Sequence, residues 1–121
     1  MNNSLVLLFA FIVLFVSCSK DRRPIISIKK PGNGDLVNAA TEVEIHVEIW
    51  DSDQLTGAAL YVTKENSTND TIIKFTDGPR TDQKYKLTKR FITESNTKYK
   101  ILIKAWGHGN LATDSIYISS N

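Results

Sequence analysis

The sequence has a single cysteine, Cys18, and only three prolines and six glycines in 121 residues. One thiol cannot form an internal disulfide or a cysteine-rich zinc site. An excess of charge of either sign is also missing, since 15 Lys and Arg stand against 13 Asp and Glu for a net +2. So small and dispersed a surplus excludes the basic footprint of a nucleic-acid-binding domain. No apolar run is long enough to span a bilayer. The longest, Leu5 to Val16, has twelve residues, about 18 Å as a helix against a hydrocarbon core of about 30 Å. No G-x-S-x-G, H-E-x-x-H or glycine-rich phosphate loop occurs, so the usual signatures of nucleophilic, zinc and phosphate chemistry are wanting. Beyond Pro24 no segment carries the i, i+3, i+4, i+7 stripe of an amphipathic helix. The length leaves room for one small domain.

What is present is distributed unevenly. The apolar run precedes every one of the charged residues and has the length of the h-region of a secretory signal peptide. At its end, Phe15-Val16-Ser17-Cys18 resembles a bacterial lipobox. The resemblance implies that the Cys18 thiol is lipidated, that the chain is cut before it, and that the new N-terminus is acylated. Ser19-Lys20-Asp21 is similar to the start of surface lipoproteins of Bacteroidota-type bacteria, in which acidic residues after the cysteine help direct export. Two positions depart from the pattern: Phe15 stands where Leu is more usual, and Met1-Asn2-Asn3-Ser4 has no Lys or Arg. The expected organisation is a signal peptide over 1–17, a lipidated N-terminus and short tether over 18–24, and one domain over 25–121. The expected location is the bacterial envelope, lipid-anchored at the outer membrane on its surface or periplasmic face, with the membrane as the first partner.

The remainder reads as short strands. Glu42 to Trp50 alternates without a fault, with Val43, Ile45, Val47 and Ile49 on one face and Glu42, Glu44, His46 and Glu48 on the other. That period of two marks a strand with one buried and one wet face. Lys98 to Trp106 repeats it, with Tyr99, Ile101, Ile103 and Ala105 in one row. Weaker versions occur at 25–28, 58–63, 71–75, 85–91 and 115–119, separated by polar or Gly- and Pro-containing turns. Seven short strands, rich in Val, Ile, Thr and Tyr, predict an all-β sandwich. Lys64 to Asp70 reads as a solvated hairpin loop.

Tyr99-Lys100-Ile101-Leu102-Ile103-Lys104-Ala105, followed by Gly109-Asn110, resembles strand F and the F–G turn of immunoglobulin-like and fibronectin type III-like domains. The stretch from Val43 through Trp50-Asp51-Ser52-Asp53-Gln54-Leu55 is similar to strand B and the B–C turn of bacterial Ig-like lipoprotein domains. The resemblance covers Pro24 to Ser119 and implies an antiparallel Ig-like β-sandwich of about seven strands. It also implies that the Tyr99 hydroxyl forms a tyrosine corner against upstream backbone. The third strand has no Trp and no B–F disulfide is possible, which separates the chain from antibody-type domains.

With strands A to G at these positions, the loops at 51–57, 76–84 and 107–110 share one end of the sandwich. Trp50 and Trp106 end strands B and F and point away from the core by parity, with Asp51, Asp53 and His108 in the adjacent loops. Three readings of this cluster stand open. The rings and the polar groups could hold a sugar or peptide; Asp51, Asp53 and Asp77 could bind calcium; or the rings simply close the sandwich end. Strand A begins at this end, six residues beyond the anchor, and six residues span at most about 20 Å. The Trp-bearing end is therefore expected to face the membrane, with Lys20, Arg22 and Arg23 beside it, leaving the distal loops near 29–41, 64–70 and 92–97 for recognition.

No catalytic residue, cofactor or resident metal is expected. Cys18 is consumed by the anchor, and His46 lies on a wet face between Glu44 and Glu48. Asp70-Thr71-Ile72 and Asp114-Ser115-Ile116 resemble the O-glycosylation triplet of Bacteroidota envelope proteins, whereas Asn66-Ser67-Thr68 and Asn69-Asp70-Thr71 fit a eukaryotic sequon that a lipobox makes irrelevant. The functional expectation is a non-enzymatic binding or scaffold module with a protein or glycan partner. The alternatives are a structural accessory subunit of an envelope complex without its own ligand, or a glycan-binding surface module.

Overall fold

A computed structural model of the protein describes residues 23–65, 70–78 and 82–121. Cys18, the leader and the tether up to Arg22 lie outside the described residues. The described chain forms β1 (Ile25–Lys30), β2 (Leu36–Val37), β3 (Glu42–Trp50), β4 (Gly57–Lys64), β5 (Thr71–Asp77), β6 (Lys84–Ile92), β7 (Lys98–Gly107) and β8 (Asn110–Ser120), with no helix among them. The strands make two sheets, β1-β3-β6 and β2-β8-β7-β4-β5. This is the Ig-like antiparallel sandwich expected from the sequence.

The alternation that defines β3 sets its packing. Its four aliphatic side chains are buried and its three glutamates and His46 turn outward. On β7, Tyr99, Ile101, Ile103 and Ala105 are fully buried and face that row across the sandwich. Each such Ile contributes about 1.5–3 kcal/mol by leaving water. The Phe91 and Tyr99 rings meet between the sheets, with centroids 5.0 Å apart at 58°. The Tyr99 hydroxyl accepts the Glu94 N–H at 2.7 Å, so the tyrosine corner forms at the implied position.

Two details correct the sequence reading and two extend it. There are eight strands rather than seven, because Leu36 and Val37 add a two-residue strand parallel to the end of β8. The segment 71–77 pairs with β4 and so belongs to the five-stranded sheet. β8 starts at Asn110, five residues earlier than expected, so the F–G connection shrinks to His108-Gly109. Their φ values of 49° and 78° suit the two-residue turn that matches strand twist. Lastly, Lys89 occupies the core-facing row of β6, where its ammonium lies 3.9 Å from the Phe75 ring centroid and covers the gap beside β5.

Candidate functional site

The loops at one end of the sandwich are stitched together by Asp51. Its backbone N–H donates to the Gln83 carbonyl at 2.8 Å, and its Oδ1 accepts the Asp53 N–H at 2.8 Å in an Asx turn. The Leu55 N–H donates to the Asp82 carbonyl and the Thr56 N–H to the Trp106 carbonyl, each at 2.8 Å. The Gln83 amide donates to the Ser52 carbonyl at 3.2 Å. Leu55 is fully buried and plugs the space between the sheets. The three loops therefore act as one body rather than as independent flaps.

The residues singled out in the sequence separate into three environments. Asp51 is 1% exposed, and its Oδ2 has no hydrogen-bond partner. It lies against Gly107, where a Cβ would come within 2.2 Å of it. Asp53 and His108 are brought together on the surface, with Oδ2 and Nε2 3.0 Å apart. Trp50 and Trp106 are not brought together: one is on the three-stranded sheet, the other on the five-stranded sheet, and both turn outward. Trp50 is 41% exposed and borders a depression of about 320 Å³ with Lys84, Tyr85 and Lys86. Trp106 is half-buried over Gly57, in a separate open depression of about 290 Å³ with Thr76, Asp77 and Gly109. The two rings thus cannot sandwich one ligand. Among the described residues no group of three or more metal-ligating side chains converges.

Two residues at this end were missed. Ile25 is in register with Trp50 and 57% exposed, and Leu111 is in register with Trp106 and 45% exposed. Each sheet thus presents an exposed apolar pair at the end where the chain enters β1. The other exposed large apolar residues, Leu36, Ile72 and Ile92, are isolated from one another at the far end. Leu111 was missed because strand G was expected only from 115, and Ile25 because its partner across the sheet depends on register.

The outer faces of the two sheets differ in charge. On the three-stranded sheet, Glu42, Glu44 and Glu48 form a central row flanked by cations. Glu44 lies 3.2 Å from Arg90 and 3.4 Å from Lys30, and Glu48 lies 3.7 Å from Lys29. Arg90 and Lys30 hold the Glu44 carboxyl below its ordinary value. Thr71 of the first glycosylation-like triplet is exposed, whereas Ser115 of the second is half-buried within β8. Asn66 to Asn69 lie outside the described residues.

No family model matches the sequence, and no curated protein does. Solved structures share its fold. The fibronectin(III)-like modules of CbhA from Clostridium thermocellum superpose with a TM-score of 0.55 at 13% identity, over 85% of this chain and 49% of that one. An endo-β-1,4-mannanase from Thermotoga petrophila gives 0.54 at 14% identity, over 93% of this chain and 23% of that one. The CARDB domain of a Pyrococcus furiosus protein, in complex with di-metal ions, gives 0.52 at 13% identity, over 84% and 97%. The chain thus spans less than half the length of the first two. At these identities the likeness defines the class, an Ig-like, fibronectin III-like β-sandwich, and transfers no site.

Proposed function

We propose that the protein is a lipid-anchored lipoprotein of a bacterial envelope whose Ig-like domain is a non-enzymatic binding or scaffold module held against the membrane by its Trp-bearing end. The observation that carries this is one of placement. β1 enters the fold at Ile25, opposite Trp50, and Cys18 stands seven residues before it at the end of the apolar run. A lipid on Cys18 would hold that end within about 20 Å of the bilayer. Several acyl chains together make detachment negligible, because each buried CH₂ contributes about 0.8 kcal/mol. The paired apolar side chains and Arg23 suit the headgroup layer.

The test is metabolic labelling with a fatty acid in a lipoprotein-processing bacterial host. The full chain should incorporate label and fractionate with membranes, and Cys18→Ala should do neither. Labelling that survives Cys18→Ala would overturn the anchor. Protease treatment of intact cells separates the two faces: release of the domain places it outside, and protection places it in the periplasm.

A further inference from the structure

We infer that the outer face of the five-stranded sheet is a binding surface for an anionic polysaccharide. β7 sends Lys98, Lys100, Lys104 and Trp106 to that face, and Lys74 joins them from β5 by its register with Tyr61. None of these four lysines has a carboxylate partner among the described residues. Lys98 instead lies 4.8 Å from the Tyr117 ring centroid and Lys104 lies 5.6 Å from that of Tyr61. The outward rows of the five strands carry no acidic residue: Asp77 and Asp114 are in register with the core-side Ala58 and Ile103, although Asp114 is exposed and Asp77 borders the depression beside Trp106. The contrast with the other sheet is chemical, because there each glutamate of the central row has a cation within 4.0 Å. On the three-stranded face four of the five cations, Lys29, Lys30, Lys86 and Arg90, lie within 4.0 Å of a glutamate, whereas the four lysines of the five-stranded face have no carboxylate among them.

The shape selects the occupant. The face is a sheet surface with an open depression at its Trp106 end, so it suits a chain lying along β7. Lys98 is eight residues from Trp106 along that strand, about 26 Å at an extended rise. Under the proposed anchoring, Trp106 is the membrane end, so a planar bilayer would meet only one end of the row. An acidic protein would need a continuous dry apolar centre to bind tightly, whereas here the outward Leu102 is half-buried and flanked along β7 by Lys100 and Lys104. Tyr and Trp rings offer apolar faces and polar edges to sugar rings, and the lysines supply point charges that read acidic substituents without the fixed geometry of an Arg fork.

The inference rests on the binding-module reading, and only its exclusion of a bilayer draws on the anchor. The full chain in detergent is titrated with polygalacturonate and with neutral dextran. Binding of the uronate polymer that weakens with salt, and no binding of dextran, is expected. Lys100→Gln/Lys104→Gln should weaken it about tenfold, while Lys29→Gln/Lys86→Gln on the other sheet should leave it within about twofold. Lys100→Arg/Lys104→Arg should restore it, which separates a charge effect from loss of fold. Equal weakening by both Gln pairs, or stronger binding to polyglutamate or to anionic vesicles than to the uronate polymer, would overturn the inference. Polymer binding that Lys100→Gln/Lys104→Gln leaves unchanged would sink this face but keep the binding-module reading.

Discussion

Asp51 does two opposed things at once. One carboxylate oxygen organises the loop that follows β3 by holding the Asp53 N–H. The other is buried with no partner, pressed on Gly107. A buried acceptor without a donor costs about 1–3 kcal/mol. An asparagine keeps the first bond and replaces the second oxygen with an amide that carries no charge into the interior. Asp51→Asn is therefore expected to stabilise the domain by about 1 kcal/mol in denaturant unfolding. Gly107→Ala would drive a Cβ into the same oxygen and should destabilise by about 1–3 kcal/mol. The two sites are in contact, so Asp51→Ala should absorb part of the Gly107→Ala loss in a double-mutant cycle. Additive effects would show that the contact does not govern either residue.

At the scale of the element, β3 shows how charge is arranged across strands. Glu44 and Glu48 stand directly opposite Arg90 and Lys86 of β6, and Lys30 and Lys29 of β1 reach the same two glutamates diagonally. The side chains are largely exposed, and their role is register rather than bulk stability. Glu44 titrates below its ordinary 4.5, through Arg90 first and Lys30 second. Its folded value is depressed, so its contribution is present above pH 4.5 and is lost as the pH falls through the lowered value. Replacing both Arg90 and Lys30 with Gln should move the Glu44 midpoint up towards 4.5 in a carboxyl NMR titration. An unmoved midpoint would mean that these cations do not act on it.

The same element shows what the sequence makes legible. The limits of β3 were readable to the residue because every second side chain is aliphatic. The burial of Tyr99 was readable from the alternation of β7, and its hydroxyl contact only from the resemblance to Ig-like domains. The start of β8 was not: in Asn110-Leu111-Ala112-Thr113-Asp114 the apolar Leu111 is exposed and the core-side row holds the exposed polar Asp114. There the strand is held by the hairpin and not by a buried row. β2 was hidden for the same reason, since two residues carry no period. In the site, Trp50 and Trp106 were correctly turned outward by parity, yet their neighbours Ile25 and Leu111 depend on pairing across strands. The burial of Asp51 depends on Gly107, 56 positions away, and no local pattern encodes that contact.

For the molecule as a whole, the quantity that decides the proposed anchoring is its orientation on the membrane. The proposed anchor would fix one end near the bilayer and leave the tilt free; the pairs Ile25 with Trp50 and Leu111 with Trp106 would set it. They stand on opposite sheets at the same end, so both can reach the headgroup layer only if the sandwich stands upright on it. Trp is favoured at that layer because its ring is apolar and its N–H is polar. In lipidated full chain reconstituted into vesicles with bromine-labelled acyl chains, Trp50→Phe and Trp106→Phe should each leave one quenched, blue-shifted emitter. If the remaining Trp is quenched in one variant and not in the other, the domain lies on one sheet and the upright orientation is wrong. If neither is quenched, the domain stands off the membrane on its tether. An upright stance also exposes the lysine row of β7 along its length, so that a charged polymer could run from the bilayer to the distal loops without competing for the end that the lipid holds.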